Sequence, residues 1–444
     1  MRQLAVAVTA ALISLGMSHS ADAASYVVMA NGNQVNSSAM RKLEAAGATI
    51  RAELPQIGVV IVDADEGFAE RAGRVSGIRS ITADMELQLL PPNEMQGIDQ
   101  QAANPPNSFD DDFYFDLQWG HDAIDAPEAW AAGARGAGVR VAVLDSGIDA
   151  EHPDLAPNLN TALSRSFVPG EHWNIRPGFY FNHGTHVAGT IAAADNSYGI
   201  IGVAPEAELV AVKVLSEYTG SGSFAGIIQG IVYAADINAD IVNMSLGADI
   251  PHNVPGAAEL FVAAGRAANY AHQKGTLLIA AAGNDGRDLD HDASLKSFPA
   301  ELPHVLSISA TAPIGWATGT SPSLDFPASY TNYGQSGIDF AAPGGDAAYP
   351  GNELCQAGVV VQRCWVLDLV FSTISGGWSW TAGTSMAAPH VSGAAALVIS
   401  ANGGRMSPAA VERALRAGAD DLGKPGNDDY YGKGRVNAAN SLGR

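Results

Sequence analysis

Three polar residues at the ends of apolar segments could together form a catalytic triad. Asp145 follows the apolar run 141–144, His183 stands just before a helical segment, and Ser385 stands at the start of another. A serine nucleophile needs a base within hydrogen-bond reach, and that base needs a carboxylate that orients it. Because ligand sites of open parallel sheets lie at the carboxyl ends of the strands, residues at such positions can converge. The three residue types therefore indicate nucleophilic catalysis.

Each of these residues also has a purely structural interpretation. An aspartate after a strand is often a turn residue, and a histidine before a helix is more often structural than catalytic. A Gly-Thr-Ser sequence before a helix is commonly an N-cap. The joint occurrence of Asp145, His183 and Ser385 in one chain favours the catalytic interpretation.

Alternating strands and helices are expected to position these side chains. From about residue 116 onward, apolar strand segments alternate with helical ones. This alternation predicts an α/β fold in which helices cover both faces of a parallel sheet. The strands are predicted at 139–144, 209–214, 241–245, 277–282 and 305–310, and the helices at 185–194, 224–235, 257–274, 386–401 and 408–417.

A smaller α+β unit is predicted in front of this region, within residues 24–90. Its pattern runs strand, helix, strand or strand pair, helix, strand, which suits a ferredoxin-like sandwich. Residues 91–115 are rich in Pro, Asn, Gln and Asp, and we predict an exposed linker and processing zone there. The catalytic domain would then span 116–444. The segments of the small unit are predicted at 26–29, 38–46, 57–62, 67–75 and 78–89.

The first 23 residues have the form of an export signal. Arg2 precedes an apolar run at 4–16 that is too short to span a bilayer, and Ala21 and Ala23 supply the small residues of a cleavage site. The alternative is a buried N-terminal helix. We expect a secreted protein, extracellular or periplasmic, with no membrane association, because no later run is long and apolar enough to cross a bilayer.

Composition and cysteine content restrict the possible partners. The 444 residues carry a net charge of -22, which disfavours binding to nucleic acid. Hydrophobic residues make up 47% and charged residues 16%, a globular balance. In an exported protein the close pair Cys355 and Cys364 predicts a disulfide; two free buried thiols are the alternative. Two cysteines alone do not make a zinc site.

Three longer motifs resemble those of the subtilisin-like serine peptidases, or subtilases. They read VAVLDSGID at 141–149, HGTHVAGT at 183–190 and GTSMAAPHV at 383–391. The chain order Asp, His, Ser is also the subtilisin order. The resemblance covers roughly 116–444, with insertions near 251–265 and 345–375, and it implies a three-layer parallel sheet. It extends to 26–89, which resembles the family's inhibitory propeptide.

The resemblance assigns catalytic roles. Ser385 would attack the scissile carbonyl, His183 would take and later return its proton, and Asp145 would fix the imidazole tautomer. Asn284 matches the family's oxyanion-hole asparagine; a turn asparagine is the alternative. His186 does not match the base and is expected to pack on its helix, since His183 and His186 lack a third zinc ligand.

Substrate and metal contacts follow by the same route. Calcium prefers six or more oxygen ligands, and the resemblance implies a structural calcium site. An extended peptide would bind between two backbone edges. A nearby aromatic residue would line a substrate pocket; a place in the helix core is the alternative. The edges are Gly220, Ser221, Gly222 and Ser245, Leu246, Gly247, and the aromatic residue is Phe224. The calcium ligands would be Asp112, Asp154, Asn196 and the carbonyls of Ala194, Tyr198 and Ile200.

These features predict a secreted serine endopeptidase that hydrolyses polypeptides through an acyl-enzyme. We expect a self-processed precursor that is inhibited by its own propeptide, and a monomer. A peptide-capturing pseudoenzyme is one alternative. An esterase of the α/β-hydrolase type is another, but its nucleophile motif Gly-x-Ser-x-Gly requires glycine where Ala387 stands.

Overall fold

The computed structural model describes residues 23–88, 96–98, 110–175, 182–319, 321 and 323–443. The export signal predicted at 1–23 lies outside these residues apart from Ala23. Within the described ranges, none of the helices is long and apolar enough to cross a membrane.

The N-terminal unit is a four-stranded antiparallel sheet with two helices. The strand order is β2-β3-β1-β4, which is the order of a ferredoxin-like sandwich. The side chain of Asn36 caps the first helix by accepting from Ala39 N at 2.9 Å. Val28, Leu43 and Phe68 are completely buried between the helices and the sheet. The elements are β1 (Ala24–Ala30), α1 (Ser37–Ala45), β2 (Thr49–Leu54), β3 (Val59–Ala64), α2 (Phe68–Ala72) and β4 (Ile78–Ala83).

The closing strand predicted at 78–89 is interrupted in the structure. After β4 ends at Ala83, the Asp84 carboxylate accepts from Met85 N and from Ala225 N, both at 3.0 Å. The chain is thereby directed away from its own sheet and onto the larger C-terminal unit (the catalytic unit, from residue 110 onward). Two short strands follow, β5 (Glu86–Gln88) and β6 (Gln96–Ile98).

The catalytic unit is built on an eight-stranded, mostly parallel sheet. Its strand order is β16-β15-β13-β11-β7-β9-β8, with β17 added beside β15, and only the short β16 is antiparallel. The described strands of this unit, both in the central sheet and in the smaller sheets around it, are β7 (Arg140–Asp145), β8 (Arg165–Ser166), β9 (Glu208–Lys213), β10 (Ser221–Ser223), β11 (Ile241–Met244), β12 (Ala248–Pro251), β13 (Leu277–Ala281), β14 (Leu295–Phe298), β15 (Val305–Ala312), β16 (Phe326–Pro327), β17 (Phe340–Pro343), β18 (Leu354–Ala357), β19 (Val360–Arg363), β20 (Val370–Ile374) and β21 (Gly377–Thr381).

Helices cover both faces of this sheet, as the alternating pattern predicts. Along β7, Val141 and Val143 belong to the core beneath α5 (His183–Ala192) and α8 (Thr384–Ala401). Ala142 and Leu144 belong to the core beneath α6 (Phe224–Asp236) and α7 (Ala257–Lys274). The central strands are therefore apolar on both faces. The helices are α3 (Trp119–Ala123), α4 (Ala126–Ala131), α5 (His183–Ala192), α6 (Phe224–Asp236), α7 (Ala257–Lys274), α8 (Thr384–Ala401), α9 (Pro408–Gly418) and α10 (Ala438–Ser441).

Two peripheral segments complete the unit. Phe113, Tyr114 and Phe115 are buried in its cores, so the packed part of the unit begins before residue 116, inside the predicted linker. In the insertion near 345–375, β18 and β19 form a ribbon in which Cys355 and Cys364 are joined in a disulfide, as the sequence predicts.

Candidate active site

The three predicted triad residues lie where elements of the catalytic unit begin or end. Asp145 is the last residue of β7, His183 is the first residue of α5, and Ser385 lies in the first turn of α8. Helix α5 packs against both β7 and α8. The fold therefore brings together three residues that are far apart in the chain.

Asp145 and His183 form a buried pair. Nδ1 of His183 lies 2.9 Å from Oδ2 and 3.0 Å from Oδ1 of Asp145, and the exposed fractions are 2% for His183 and 0% for Asp145. A Cβ at position 184 would collide with the Gly147 carbonyl, so the helix can approach this closely because residue 184 is glycine. The carboxylate holds Nδ1, and Nε2 of His183 has no hydrogen-bond partner among the described residues.

Ser385 is held through its backbone. The Ser245 hydroxyl donates to the Ser385 carbonyl at 2.7 Å, and Asn243 Nδ2 donates to the same hydroxyl at 2.9 Å. No residue in the described ranges hydrogen bonds to Ser385 Oγ. Catalytic hydrogen bonds are often long until substrate binds, so a serine hydroxyl without such a bond remains available as a nucleophile.

Asn284 presents its amide beside Ser385. Its Oδ1 accepts from both N and Oγ1 of Thr384 at 2.9 Å, which turns Nδ2 toward the other side. A Cβ on Gly383 would lie 3.6 Å from Asn284 Nδ2 and 3.6 Å from Ser385 N. The two N–H groups therefore flank Gly383 and can donate to one oxyanion.

A buried lysine behind Asp145 was missed by the sequence analysis. Lys213 ends β9 in register with Asp145, and its Nζ donates to the Ser146 carbonyl and pairs with Glu171 at 3.0 Å. Burial lowers the pKa of Lys213, and the nearby carboxylates of Glu171 and Glu217 oppose that shift. A lysine that ends an apolar strand was the available signal. By donating to the Ser146 carbonyl, Lys213 supports the turn that follows Asp145.

His186 lies in the core of α5. Its Nε2 is 3.2 Å from the Ser379 carbonyl, and burial, followed by the neighbouring His183, lowers its pKa to about 3. A neutral, fully buried imidazole agrees with the packing role expected for it.

One of the two predicted substrate edges is paired with the N-terminal unit. Strand β5 pairs antiparallel with β10, with Gln88 opposite Ser221 and Leu87 opposite Gly222. Phe224 is completely buried, and its ring is tilted against that of Phe298 with the centroids 4.2 Å apart, which places it in the helix core. Leu87 packs against that same core. Gly220 precedes β10 with a φ of 68°.

The other predicted edge follows β11. Leu246 is buried, Ser245 supports Ser385, and the Gly247 backbone lies near the Phe298 carbonyl. No described strand pairs with Ser245, Leu246 or Gly247.

Strand β6 pairs with β21, close to Ser385. Gln96 lies opposite Trp380, and Ile98 lies opposite Trp378, in antiparallel register. Because β21 ends at Thr381 and β6 is antiparallel to it, β6 runs away from Ser385. Strands β5 and β6 thus occupy two different edges of the catalytic unit.

The predicted calcium ligands converge at the loop after α5. Asp112 Oδ1 accepts from Asn196 N at 3.3 Å and Tyr198 N at 3.0 Å, and Asp154 Oδ2 accepts from Ile200 N at 3.0 Å. The second oxygens, Asp112 Oδ2 and Asp154 Oδ1, are buried without a hydrogen-bond partner. Nor do the carbonyls of three predicted ligands accept a hydrogen bond from any described residue: Ala194, Tyr198 and Ile200.

A second carboxylate cluster adjoins this loop. One oxygen each of Asp110, Asp111, Asp112 and Asp195 lies within 4.8 Å of the others. Only Asp112 belongs to the predicted ligand set, so the two arrangements can be separated by mutation.

Comparisons with known proteins agree with this architecture. Residues 136–434 match the subtilase family. Subtilisin NAT of Bacillus subtilis subsp. natto is 39% identical over 322 residues, which are 72% of this chain and 70% of that protein. Subtilisin Savinase of Lederbergia lenta is 38% identical over 324 residues, which are 72% of this chain and 97% of that protein.

Two solved structures have a similar fold. The epidermin leader peptide processing serine protease of Staphylococcus aureus superposes with a TM-score of 0.74 at 23% identity, over 95% of this chain and 98% of that one. A lanthipeptide protease superposes with a TM-score of 0.61 at 30% identity, over 78% of this chain and 99% of that one.

Proposed function

The chain belongs to the subtilase family and is a serine endopeptidase, and from this premise we propose that Asp145, His183 and Ser385 are its catalytic triad. The observation that carries the assignment is the buried Asp145–His183 pair, which leaves Nε2 of His183 without a partner. Helix α5, which begins at His183, packs on the helix that carries Ser385.

The mechanism follows from these positions. His183 Nε2 accepts the Ser385 hydroxyl proton as Oγ attacks the scissile carbonyl, while Asp145 stabilises the imidazolium. The oxyanion receives hydrogen bonds from Ser385 N and Asn284 Nδ2. His183 then protonates the leaving amine, and an acyl-enzyme remains on Ser385. Water, deprotonated by His183, attacks the ester, and the proton returns to Ser385 as the acid leaves.

Substrates would bind as extended polypeptides. The β5–β10 pairing is a model for this binding, because an added strand satisfies backbone groups without regard to side chains. A substrate would take the place of β5 beside Gly220, Ser221 and Gly222 and would reach the edge formed by Ser245, Leu246 and Gly247. Leu87 would mark the position at which a substrate side chain contacts the core around Phe224.

The precursor would process itself. Strand β5 lies on one substrate edge, and β6 lies on β21 just before Ser385. We place the maturation bond between Gln88 and Gln96, a window that overlaps the start of the zone predicted at 91–115 and extends just upstream of it. Until the N-terminal unit leaves, β5 blocks the edge at β10 and acts as an intramolecular inhibitor. Removal of residues 1–23 during export would precede this step.

The loop after α5 would hold a structural calcium ion. The buried, unpartnered oxygens of Asp112 and Asp154 fit a hard cation with oxygen ligands. Asn196 and the carbonyls of Ala194, Tyr198 and Ile200 would complete the set. The ion would neutralise two buried carboxylates and fix the loop.

Expression of the full chain and its Ser385→Ala variant tests the assignment. The wild type should shorten and hydrolyse casein, whereas Ser385→Ala should stay full-length and inert. Ser407→Ala is the matched control, since that serine precedes α9 without making a capping hydrogen bond. Retained cleavage in Ser385→Ala would refute the triad, and an inert, full-length wild type would instead favour a peptide-capturing pseudoenzyme.

A further inference from the structure

Arg266 of α7 makes its hydrogen bonds across the interface between the two units. Its Nη1 donates to the carbonyls of Ile57 at 3.1 Å and Gly32 at 3.3 Å, and its Nη2 donates to the carbonyl of Ala30 at 3.1 Å. All three acceptors belong to the N-terminal unit. The Arg266 side chain donates no hydrogen bond to a described residue of its own unit, so the guanidinium has no such partner once the N-terminal unit departs.

The three carbonyls lie together only when the N-terminal sheet is folded. Ala30 ends β1, and Ala30 N donates to the Gly58 carbonyl at 2.8 Å, which joins the end of β1 to the turn before β3. Gly58 has a φ of 64°, and a Cβ there would lie 2.6 Å from the Gly32 carbonyl oxygen. A side chain at position 58 would therefore separate the turns that Arg266 bridges.

We propose that Arg266 is the residue by which the catalytic unit recognises its folded N-terminal unit. This inference rests on the proposed role of that unit as an inhibitor. Because every acceptor is a main-chain carbonyl, Arg266 recognises the shape of the two turns rather than any side chain. Its partner is a folded sheet with the β1 and β2–β3 geometry, and an unfolded or shortened N-terminal chain does not present it.

Two other polar contacts between the units are weaker candidates for this role. Arg79 pairs with Glu259 at 3.3 Å, but both side chains are more than a third exposed, and such pairs contribute little. Gln56 donates to Asp236 at 2.7 Å in an exposed position. Arg266 is half-buried and makes charge-assisted bonds to three acceptors, which are stronger than neutral ones.

Hydrogen exchange on the full Ser385→Ala chain tests the proposal without requiring self-cleavage. Arg266→Gln should speed exchange of the β1 and β3 amides about tenfold, because docking protects them, while the β11 and β13 amides stay unchanged as a reference for folding. Arg416→Gln is the matched control, because that arginine is exposed on α9. Equal exchange in Arg266→Gln and Arg416→Gln would overturn the proposal.

Two further variants test the geometry. Arg266→Lys keeps the charge but not the forked donors, so its effect should be intermediate. Gly58→Ala should also speed exchange. The double variant with Arg266→Gln should show less than the product of the two single effects, because both substitutions disrupt the same contact. Independent, multiplicative effects would show that Arg266 does not act through these turns.

Variants made in a chain that retains Ser385 separate this inference from the proposed function. After cleavage, the Arg266→Gln N-terminal fragment should dissociate from the catalytic fragment about tenfold faster during gel filtration, with kcat/KM of the released enzyme unchanged. If the wild-type chain is not cut, self-processing is wrong, and the exchange experiment still decides the role of Arg266. Normal cutting with unchanged fragment dissociation would refute the role of Arg266 alone.

Discussion

Among the buried aspartates of the catalytic unit, those of two regions are satisfied in different ways. At the carboxyl end of β7, Asp145 faces Nδ1 of His183, and its Oδ1 accepts from Ser146 N at 2.7 Å. At the loop after α5, Asp112 and Asp154 are equally buried, but one oxygen of each has no hydrogen-bond partner in the described part of the chain. The first region is complete within the polypeptide, and the second is not.

Burial of a charged carboxylate is costly unless a partner compensates for the lost water. Burial raises the pKa of Asp112 to about 8 and that of Asp154 to about 7. Without a cation, both groups would bind protons at pH values where free aspartates are ionised. Amide substitution of Asp145 should therefore mainly lower activity. Amide substitution and chelation at the loop after α5 should mainly change stability.

Asp145→Asn should have the largest effect on activity. The amide would hold His183 in the wrong tautomer while keeping its shape, so the rate of self-cleavage should fall by about 10⁴. Thermal unfolding should change little beside that loss. Conversion of the full chain, followed by gel electrophoresis, gives the rate. Asp149→Asn, also buried but outside the triad, should process within a few-fold of the wild type; near-normal processing in Asp145→Asn would contradict the assignment.

Asn284→Asp should have the next largest effect. The carboxylate can still accept both Thr384 hydrogen bonds but offers no Nδ2 donor to the oxyanion. The value of kcat should fall by about 10²–10³ with little change in KM. Steady-state kinetics on a peptide substrate measure both constants. Thr384→Ser keeps the hydroxyl and should stay near wild type, and a change confined to KM would remove Asn284 from the oxyanion hole.

Chelation should affect stability through the calcium site proposed at the loop after α5. Excess EDTA should lower the melting temperature of the wild type by about 5–10 °C, because a ligand bound only to the folded state stabilises it. Asp154→Asn should abolish most of this response. Asp111→Asn should retain it, since Asp111 belongs only to the second carboxylate cluster. The reverse pattern would move the ion to that cluster, and no response in any variant would remove the calcium proposal.

The response to chelation should also depend on pH. In the cation-free protein the folded pKa values of Asp112 and Asp154 lie above the unfolded value of about 3.9. The folded state then binds more protons than the unfolded state between about pH 4 and pH 8, so its stability falls as pH rises through this range. With calcium bound, the carboxylates stay ionised and this slope disappears. Melting curves with and without EDTA should therefore diverge as pH rises; parallel curves would contradict the proposal.

Local patterns in the sequence predicted the parts of the molecule that depend on short segments. The ends of β7 and α8, and hence Asp145 and Ser385, follow from apolar runs and glycine-rich motifs. The N-terminal unit was predicted as a ferredoxin-like sandwich, and its observed strand order agrees with that fold. What failed was pairing between distant segments. The departure of β5 from its sheet depends on Asp84 contacting Ala225, which no pattern within 78–89 reports.

The same limit explains the missed residues. Lys213 is an ordinary strand-end residue until the parallel register places it beside Asp145. The linker predicted up to residue 115 ended too late, because the composition of 91–115 as a whole masked the apolar Phe113, Tyr114 and Phe115. Phe113 and Tyr114 pack in one cluster with Phe371 of β20 and Trp380 of β21, more than two hundred residues away.

Trp378 offers the smallest and most local test of the contrast between the two regions. Its Nε1 donates to Asp154 Oδ2 at 2.8 Å, the same oxygen that accepts from Ile200 N, and so joins β21 to the residues of the proposed calcium site. Trp378→Phe removes this donor and should lower the stability by about 1 kcal/mol beyond the loss of ring volume. Trp380→Phe is the matched control, because the Trp380 Nε1 is buried without a hydrogen-bond partner, so losing it removes no bond. Urea unfolding with calcium present compares them. If Trp378→Phe is no less stable than Trp380→Phe, the indole does not support Asp154, and the proposed calcium site does not depend on this hydrogen bond.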